Sequence, residues 1–383
     1  MAFYLAFKEI WRYRSRFFLF SLVIALITSL VLFVAALAGG LATANRQFLD
    51  KLDADLLIYQ ENVNLQATSS RLNTSRLKAV RRLDGVAAAG PLAFSTTKIV
   101  LAGGRQPIDV SLVGVQPGQP GDPALLQGSG FRADGRNEVI VDASLAKEAG
   151  LKLGELMAIK SIQGLEEEFF NLKVVGISDE RQYFFQSSII VPLETWEKVR
   201  PKPVAAAAPG ELLFNIIAVK LKNTQEIAQA TQTILQRVDN VEVADKQSAI
   251  LAIPGYTAQQ NTLNTQQGFS LLIGVLVVGG FFQIQTLQKV SQIGMLKAIG
   301  SPNRTVAVAA LLQIIIVTIT GVLIGGLATL LLTLGMPGNV PILFTGNSVL
   351  MAVAALLLIG PIGGLVSIRL ALKIDPLNAI GLS

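Results

Sequence analysis

Four long apolar stretches dominate the pattern of hydrophobic and polar positions along the chain. Each is built around an uncharged run close to or above the about 20 residues that span a bilayer. The first run is also too long for the about 7–15 apolar residues of a cleaved signal peptide. The pattern therefore predicts four transmembrane helices, at 17–42, 268–288, 305–334 and 347–370.

Between the first two apolar stretches, residues 43–267 alternate short strand-like and helix-like runs, which is enough chain for a separate domain. Residues 43–52 and 256–268 are polar and predict helical stalks at its two ends. The fold class is therefore an α-helical membrane protein with a large α+β extracytoplasmic domain. Strands are predicted at 99–101, 110–115, 139–141, 172–177, 189–191 and 216–221, and helices at 71–83, 143–150, 192–199 and 225–237.

Composition supports a membrane protein and removes several kinds of chemistry. Hydrophobic residues make up 51% of the 383 residues and charged residues only 15%, against about 25% in soluble domains. Mean hydropathy is +0.53. Because the chain has no Cys and no His, it cannot use a thiol nucleophile, a cysteine zinc site or a histidine acid–base mechanism.

The basic residues outside residues 43–267 set the expected orientation. That segment carries 23 basic and 24 acidic residues, whereas the rest of the chain carries 9 basic and 2 acidic residues. The positive-inside rule then places both termini and the connection between the second and third helices in the cytoplasm. The overall charge of +6 reports this topology, and no nucleic-acid partner is expected. The predicted cytoplasmic segments are 1–16, 289–304 and 371–383, and 335–346 is a short outer loop.

The connection at 289–304 predicts a short amphipathic helix with one apolar side. That side is formed by Val290, Ile293, Leu296, Ala298 and Ile299, and Gly300 ends the helix. Such a helix either only anchors the loop at the membrane surface or contacts a partner. The candidate contact residues are Val290, Gln292, Ile293, Gly294, Met295, Leu296, Lys297, Ala298, Ile299 and Gly300.

Small residues recur four apart inside the predicted spans and allow close helix approach. They serve either a homodimer interface or packing within one subunit. The uncharged run within each span, which ends at Ile368 in the fourth, contains no ionisable residue, and this argues against an ion-coupled transporter. Gln283, Gln285 and Gln313 are expected to form hydrogen bonds between helices. No metal site is predicted. The candidate packing residues are Gly321, Gly325, Gly360 and Gly364.

The stretch QIGMLKAIGSPNR at 292–304 resembles the R-E-I-G-x-L-K-A-x-G-A segment of FtsX/MacB-like ABC transporter permeases. FKEIWRYRSRFFLFSLVIALITS at the start, EVIVDASLAKEAGLKLGELMAI, FNLKVVGI and SSIIVPLETWEKV in the middle, and RLALKIDPLNAI at the end are similar to other parts of that family. Gln292 stands where the family usually has an acid, and Ser291 where a basic residue is common. If this segment contacts a partner as in the family, the charges at the contact are therefore different here.

This resemblance implies a non-catalytic permease subunit of the bacterial inner membrane, similar to DevC-like, haem-exporter or macrolide-exporter permeases. The coupling helix would dock into a separate ABC ATPase, and two permeases would form a homodimer that binds two copies of this ATPase. The chain has no G-x-x-x-x-G-K-[ST] sequence for ATP, so ATP and Mg²⁺ would bind the partner and no cofactor is expected here. Membrane lipid, a periplasmic adaptor and an outer-membrane channel are the other expected partners.

Such a permease would use ATP-driven movement in the cytoplasm to move its outer domain, a mechanism called mechanotransmission. The sequence leaves three functions of this movement open. One is export of a hydrophobic or amphiphilic substrate. The second is regulation of an external cell-wall hydrolase, as in FtsX-like signalling subunits, and the third is lipoprotein release. A membrane receptor or scaffold without an ATPase is the alternative outside this class.

Overall fold

The computed structural model describes residues 2–101, 106–132, 135–183, 185–202, 212–336, 342–344 and 346–373. The chain divides into two compact units. The helical unit comprises Met1–Leu41 and Gln259–Ser383, and the sheet unit comprises Ala42–Ala258. Half of the predicted outer loop 335–346 and most of the tail 371–383 lie outside the described residues.

Within the described ranges the chain forms eleven α-helices and thirteen strands. The helices are α1 Ala2–Arg12, α2 Arg14–Asp50, α3 Thr74–Arg81, α4 Ala143–Ala149, α5 Leu193–Val199, α6 Ile227–Arg237, α7 Lys246–Leu251, α8 Tyr256–Gln288, α9 Val290–Ala298, α10 Asn303–Leu334 and α11 Gly346–Leu372. The strands are β1 Leu56–Gln60, β2 Leu72–Asn73, β3 Val86–Val100, β4 Ile108–Val115, β5 Leu125–Gly128, β6 Glu138–Asp142, β7 Leu156–Gln163, β8 Glu166–Ser178, β9 Gln182–Tyr183, β10 Gln186–Pro192, β11 Leu213–Phe214, β12 Ile216–Leu221 and β13 Val241–Asp245.

The helical unit contains the parts of α2, α8, α10 and α11 that are long and apolar enough to cross a membrane. Their shared core includes Ile24 and Val31 of α2, Phe282 of α8, Val317 of α10 and Leu356 of α11. Together with the sheet unit, these helices confirm the predicted fold class. Helix α2 begins before residue 17 and continues to Asp50, and α8 already begins at Tyr256, so the polar segments next to both spans are helical.

The sheet unit is built on a mixed sheet in the order β13-β1-β12-β3-β4-β10-β6-β8-β5, with β7 pairing β3 and β8. Most neighbours are antiparallel, but β10 runs parallel to β4 and β6 parallel to β8. Successive residues of β1 belong to different cores: Leu56 and Ile58 to one, Leu57 and Tyr59 to the other. Because side chains alternate across a strand, the sheet is covered on both faces.

A run of three acidic residues, Glu166–Glu168, forms the exposed start of β8. Its register opposite β7 brings Glu167 to 2.6 Å from Lys160 Nζ, and this cross-strand ion pair accommodates the charge within a strand.

Asp142 is a buried carboxylate at the junction of β6 and α4. It is fully buried and accepts hydrogen bonds from the N–H groups of Leu145 and Ser188, both at 2.7 Å. The first of these bonds caps α4. Burial, and to a smaller extent the negative charge of Glu180, disfavour the charged form more than the backbone hydrogen bonds favour it, so the pKa of Asp142 is raised to about 6.

We expect this carboxyl to make the stability of the sheet unit fall with rising pH. Its pKa is higher in the folded protein than in the unfolded chain, so folding takes up a proton between about pH 4 and 6. Relative to Asp142→Asn, the wild-type protein should lose roughly 3 kcal/mol of unfolding free energy from pH 4 to pH 7. Unfolding can be followed by the fluorescence of buried Trp196. If the difference in unfolding free energy between wild type and Asp142→Asn is the same at pH 4 and pH 7, the raised pKa of Asp142 is contradicted.

Candidate functional site

The short helix α9 lies between α8 and α10, held by tight turns at both ends. One residue, Lys289, separates it from α8. At its other end Gly300 has φ +86°, which L side chains rarely adopt, and the Ser301 N–H donates to the Leu296 carbonyl at 3.1 Å. Pro302 then precedes the first turn of α10. Helix α9 is therefore connected to both α8 and α10 by short segments of chain.

The apolar side predicted for α9 is partly covered by the rest of the chain. Val290, Ile293 and Leu296 are half-buried, whereas Ala298 and Ile299 are exposed. Helix α9 ends at Ala298, and Ile299 lies in the turn that follows. Of the remaining candidate residues, Gly294 is buried, Lys297 is half-buried, and Gln292, Met295 and Gly300 are exposed.

Two of these exposed residues are large and apolar. Met295 exposes 58% of its surface and Ile299 exposes 79%. They lie four positions apart, so they share one side of this segment. We call Met295 and Ile299 the exposed pair. Such a pair on a short connection is available for a partner protein or for lipid.

Cationic side chains attach α9 and its preceding turn to the rest of the helical unit. Lys297 Nζ donates to the Leu372 carbonyl near the end of α11 at 2.8 Å. Lys289 forms an ion pair with Glu9 of α1 and donates to Gln285 Oε1 at 3.3 Å. Gln313 of α10 donates to the other carboxylate oxygen of Glu9. Gln313 thus forms an interhelical bond, as expected, with a partner that the sequence pattern did not indicate. The bond to Gln285 is local, and Gln283 is exposed.

A cavity of about 280 Å³ lies beside this polar network. Residues of α1, α8, α9, α10 and α11 line it, among them Glu9, Thr286, Ile293, Gln313 and Ser367. Thr286 and Ser367 hydrogen-bond to each other across it, and Ser367 donates to the Phe282 carbonyl at 2.8 Å. Five helices therefore meet around incompletely filled space directly behind α9. Space of this kind permits α9 to shift without first breaking a close-packed core.

We expect Glu9→Gln to lower the unfolding free energy of the helical unit by about 1–3 kcal/mol, because it leaves the Lys289 ammonium without its anionic partner. The pair is largely buried, with side-chain exposures of 17% for Lys289 and 26% for Glu9. Thermal unfolding in a mild detergent measures the loss. Exchanging the two residues, Glu9→Lys with Lys289→Glu, should restore part of it. A melting temperature of Glu9→Gln equal to wild type would show that the pair contributes nothing.

All four candidate packing glycines contact other helices of the same chain. A methyl group on Gly321 would lie 2.6 Å from Ile24 Cβ, and one on Gly325 would lie 2.6 Å from Thr28 Cβ, both in α2. A methyl on Gly360 would overlap Thr318, and one on Gly364 would overlap Ile314, both in α10. These glycines therefore permit the close approach of α10 to α2 and to α11.

A fifth close contact, between Gly279 of α8 and Gly363 of α11, was not identified from the sequence. A methyl on Gly279 would lie 2.9 Å from the Gly363 carbonyl oxygen, and one on Gly363 would lie 2.6 Å from the Val275 carbonyl oxygen. The signal was present as adjacent glycines at 279–280 and 363–364. The spacing of small residues within one helix does not reveal the contact between Gly279 and Gly363, because these two residues belong to different helices.

Comparison with known proteins shows the family. Residues 268–376, which include α9, match the family model described as FtsX-like permease C-terminal. A protein of Staphylococcus haemolyticus named as a hemin transport system permease protein, HrtB, is 30% identical over 98% of this chain and 99% of its own length. The chain belongs to the FtsX-like family of ABC transporter permeases. It is therefore a subunit of an ABC transporter in the bacterial inner membrane.

Other relatives of this permease include an uncharacterized ABC transporter permease of Mycobacterium tuberculosis, 23% identical over 93% of each chain. Among solved structures, the extracellular domain of the noncanonic ABC-type transporter YknZ from Gram-positive bacteria is 13% identical, with a TM-score of 0.37. It covers 50% of this permease and 100% of that domain. The periplasmic region of MacB from Actinobacillus actinomycetemcomitans is 14% identical, with a TM-score of 0.38, and covers 54% of this permease and 95% of that region.

Membership in the family implies an ATPase partner and dimerisation for this permease. Among the residues that the structure describes, no group of three or more Asp or Glu side chains is arranged to hold a metal ion. The short helix α9 lies inside the part that matches the family model. It is therefore the first place to look for the contact with the ATPase.

Proposed function

We propose that this permease is the transmembrane subunit of an ABC exporter and that α9 is its coupling helix. The observation that carries the proposal is the exposed pair, Met295 and Ile299, on a short helix held between two membrane helices. A separate ATPase subunit would bind this apolar surface. ATP binding would then draw two ATPases together and move the two copies of α9 with them.

The contacts of α9 support transmission of that movement. Lys289 links the start of α9 to α1 through Glu9, and Lys297 links its end to α11. Helices α2 and α8 each run without interruption from the helical unit into residues of the sheet unit. We propose that tilting of these two helices moves the sheet unit outside the membrane. The free energy for this step must come from a difference in binding between the ATP-bound and free ATPase.

The substrate that we propose is hydrophobic or amphiphilic. The apolar runs of the four spans contain no Asp, Glu, Lys or Arg, so they offer no charged path through the bilayer. Pushing a substrate from the outer leaflet or from the outer face needs no such path. Because a relative that spans the same length is named for hemin transport, hemin is the first compound to test.

The experiment that tests this proposal is purification of the tagged protein from its native membrane with ATP trapped, followed by mass spectrometry. An ABC ATPase in equal amount supports the proposal. A periplasmic adaptor alongside it, with hypersensitivity of the deletion strain to hemin, supports export. A cell-wall hydrolase in place of the adaptor would instead favour signalling. Absence of any ATPase would contradict the proposal.

The proposed orientation predicts a definite labelling pattern, for which a chain without cysteine is well suited. A single cysteine replacing Ser301, after α9, should react with an impermeant maleimide only after the cells are permeabilised. A single cysteine replacing exposed Leu165, in the turn between β7 and β8, should react in intact cells. The opposite pattern would reverse the proposed topology.

A further inference from the structure

A second cleft lies in the sheet unit, between α3 and α5, with a volume of about 680 Å³. Part of its lining is apolar. Half-buried Pro192, Leu193 and Leu212 offer accessible apolar surface, and buried Leu77 and Phe214 support the lining from behind. An apolar lining of this kind suits the hydrocarbon part of a ligand.

The rim of this cleft is cationic. Among the described lining residues, Glu194 is the one acidic side chain. The excess of positive charge is local, because residues 43–267 as a whole carry one more acidic than basic residue. Positive charge concentrated at a cleft raises the local concentration of anions. The cationic lining residues are Lys78, Arg81, Arg132 and Arg136.

Arg81 is held in place before any ligand binds. Its Nε donates to the Ala89 carbonyl and its Nη2 donates to Gln116 Oε1, both at 2.7 Å. These two bonds use two of the five N–H groups of the guanidinium. Partial desolvation lowers the pKa of Arg81. The guanidinium N–H groups that these bonds leave unused could donate to an anion in the cleft.

Arg136 and Glu194 form a loose ion pair at the same rim. Their closest atoms are 3.7 Å apart, and their side chains are 82% and 75% exposed. A pair this exposed contributes little to folding, so either residue can be changed without unfolding the sheet unit. The two residues should nevertheless have opposite effects on an anion that approaches the cleft.

We propose that this cleft binds an amphiphilic anion, with the apolar body against Pro192, Leu193 and Leu212 and a carboxylate or phosphate group at Arg81 and Arg136. Guanidinium groups match both oxyanions. The proposal goes beyond the function proposed above, because it assigns a ligand site to the sheet unit whichever partner the helical unit has.

Photo-crosslinking of the full-length protein in zwitterionic nanodiscs tests the site. The probe is a diazirine analogue of decanoic acid, and labelled peptides are identified by mass spectrometry. We expect label on the peptides that carry Leu77 and Leu193, and at least about threefold less label from the uncharged methyl ester. A diazirine analogue of decyl phosphate distinguishes a carboxylate from a phosphate headgroup. The probe that labels the cleft more strongly identifies the preferred headgroup.

Variants of the rim give the decisive comparison. Arg136→Gln and Lys78→Gln should each lower cleft labelling about threefold or more, and Glu194→Gln should raise it about twofold, although Arg136→Gln and Glu194→Gln break the same ion pair. Arg82→Gln, an exposed neighbour outside the cleft lining, should leave labelling unchanged.

Three results would overturn the cleft proposal: equal labelling by acid and ester, the same direction of change for Arg136→Gln and Glu194→Gln, or label confined to the membrane helices. Recovery of the ATPase with the wild-type protein is measured separately. A labelled cleft in a protein that binds no ATPase would contradict the proposed function and leave the cleft proposal standing.

Discussion

Replacing Met295 and Ile299 together by lysine should abolish recovery of the ATPase with the purified permease and eliminate substrate export. Both side chains are exposed, so the change removes an apolar contact surface without opening a cavity. Lysine is the suitable replacement because a cation near the end of α9 interacts favourably with the helix dipole. We expect at least about a tenfold loss of co-purified ATPase, as for central apolar residues of an interface.

The matched control is Leu165→Lys, which places the same charge on a leucine that is 91% exposed in the sheet unit. It should leave ATPase recovery at the wild-type level. Melting temperatures of both proteins should match wild type, which separates lost docking from lost folding. Normal recovery of the ATPase with the double variant would show that α9 serves only to anchor its loop.

The largest stability effect should come from adding two methyl groups between α2 and α10. In the double variant Gly321→Ala with Gly325→Ala, the new Cβ atoms would meet Ile24 Cβ and Thr28 Cβ at 2.6 Å. The helices must separate to relieve this overlap. At about 1–3 kcal/mol for each overpacked site, we expect a loss of about 2–6 kcal/mol. Thermal unfolding and the monodisperse fraction in mild detergent measure it.

Gly326→Ala is the control on the same helix. A methyl there has one neighbour within 4 Å, Leu32 Cδ1 at 3.9 Å. Since alanine favours helix over glycine, this variant should equal wild type or gain up to about 1 kcal/mol. If Gly326→Ala raises the unfolding free energy and the double variant lowers it, the loss in the double variant is due to the contact between α2 and α10. If the double variant and wild type have the same melting temperature, α2 and α10 do not pack through Gly321 and Gly325.

The membrane spans were predictable because an apolar run near 20 residues has few structural alternatives. The sheet unit was predictable only where strands are rich in β-branched residues, as in β4 and β12. Strand β3 begins VAAAGP, a composition that does not favour a strand, and only its last residues were predicted. Pairing of this part of β3 with β12 provides what local propensity lacks.

The position of α9 was predictable from its breaker residues, but its contacts were not. The exposed face depends on where the helix ends, and Ile299 falls just beyond that end. The Glu9–Lys289 ion pair joins residues from opposite ends of the sequence, so no local pattern could indicate it. The same reason hid the contact between Gly279 and Gly363.

That ion pair also constrains the order in which the protein can be completed. Glu9 is synthesised first, yet Lys289 and Gln313 emerge only after nearly 300 further residues. At a translation rate of about 5–20 residues per second, the Glu9 carboxylate is without its partners Lys289 and Gln313 for roughly 15 to 60 s. The whole sheet unit, Ala42–Ala258, is made during that interval. The helical unit is therefore a late product of biosynthesis, and an insertion factor that shields α1 in the meantime would raise the yield of assembled permease.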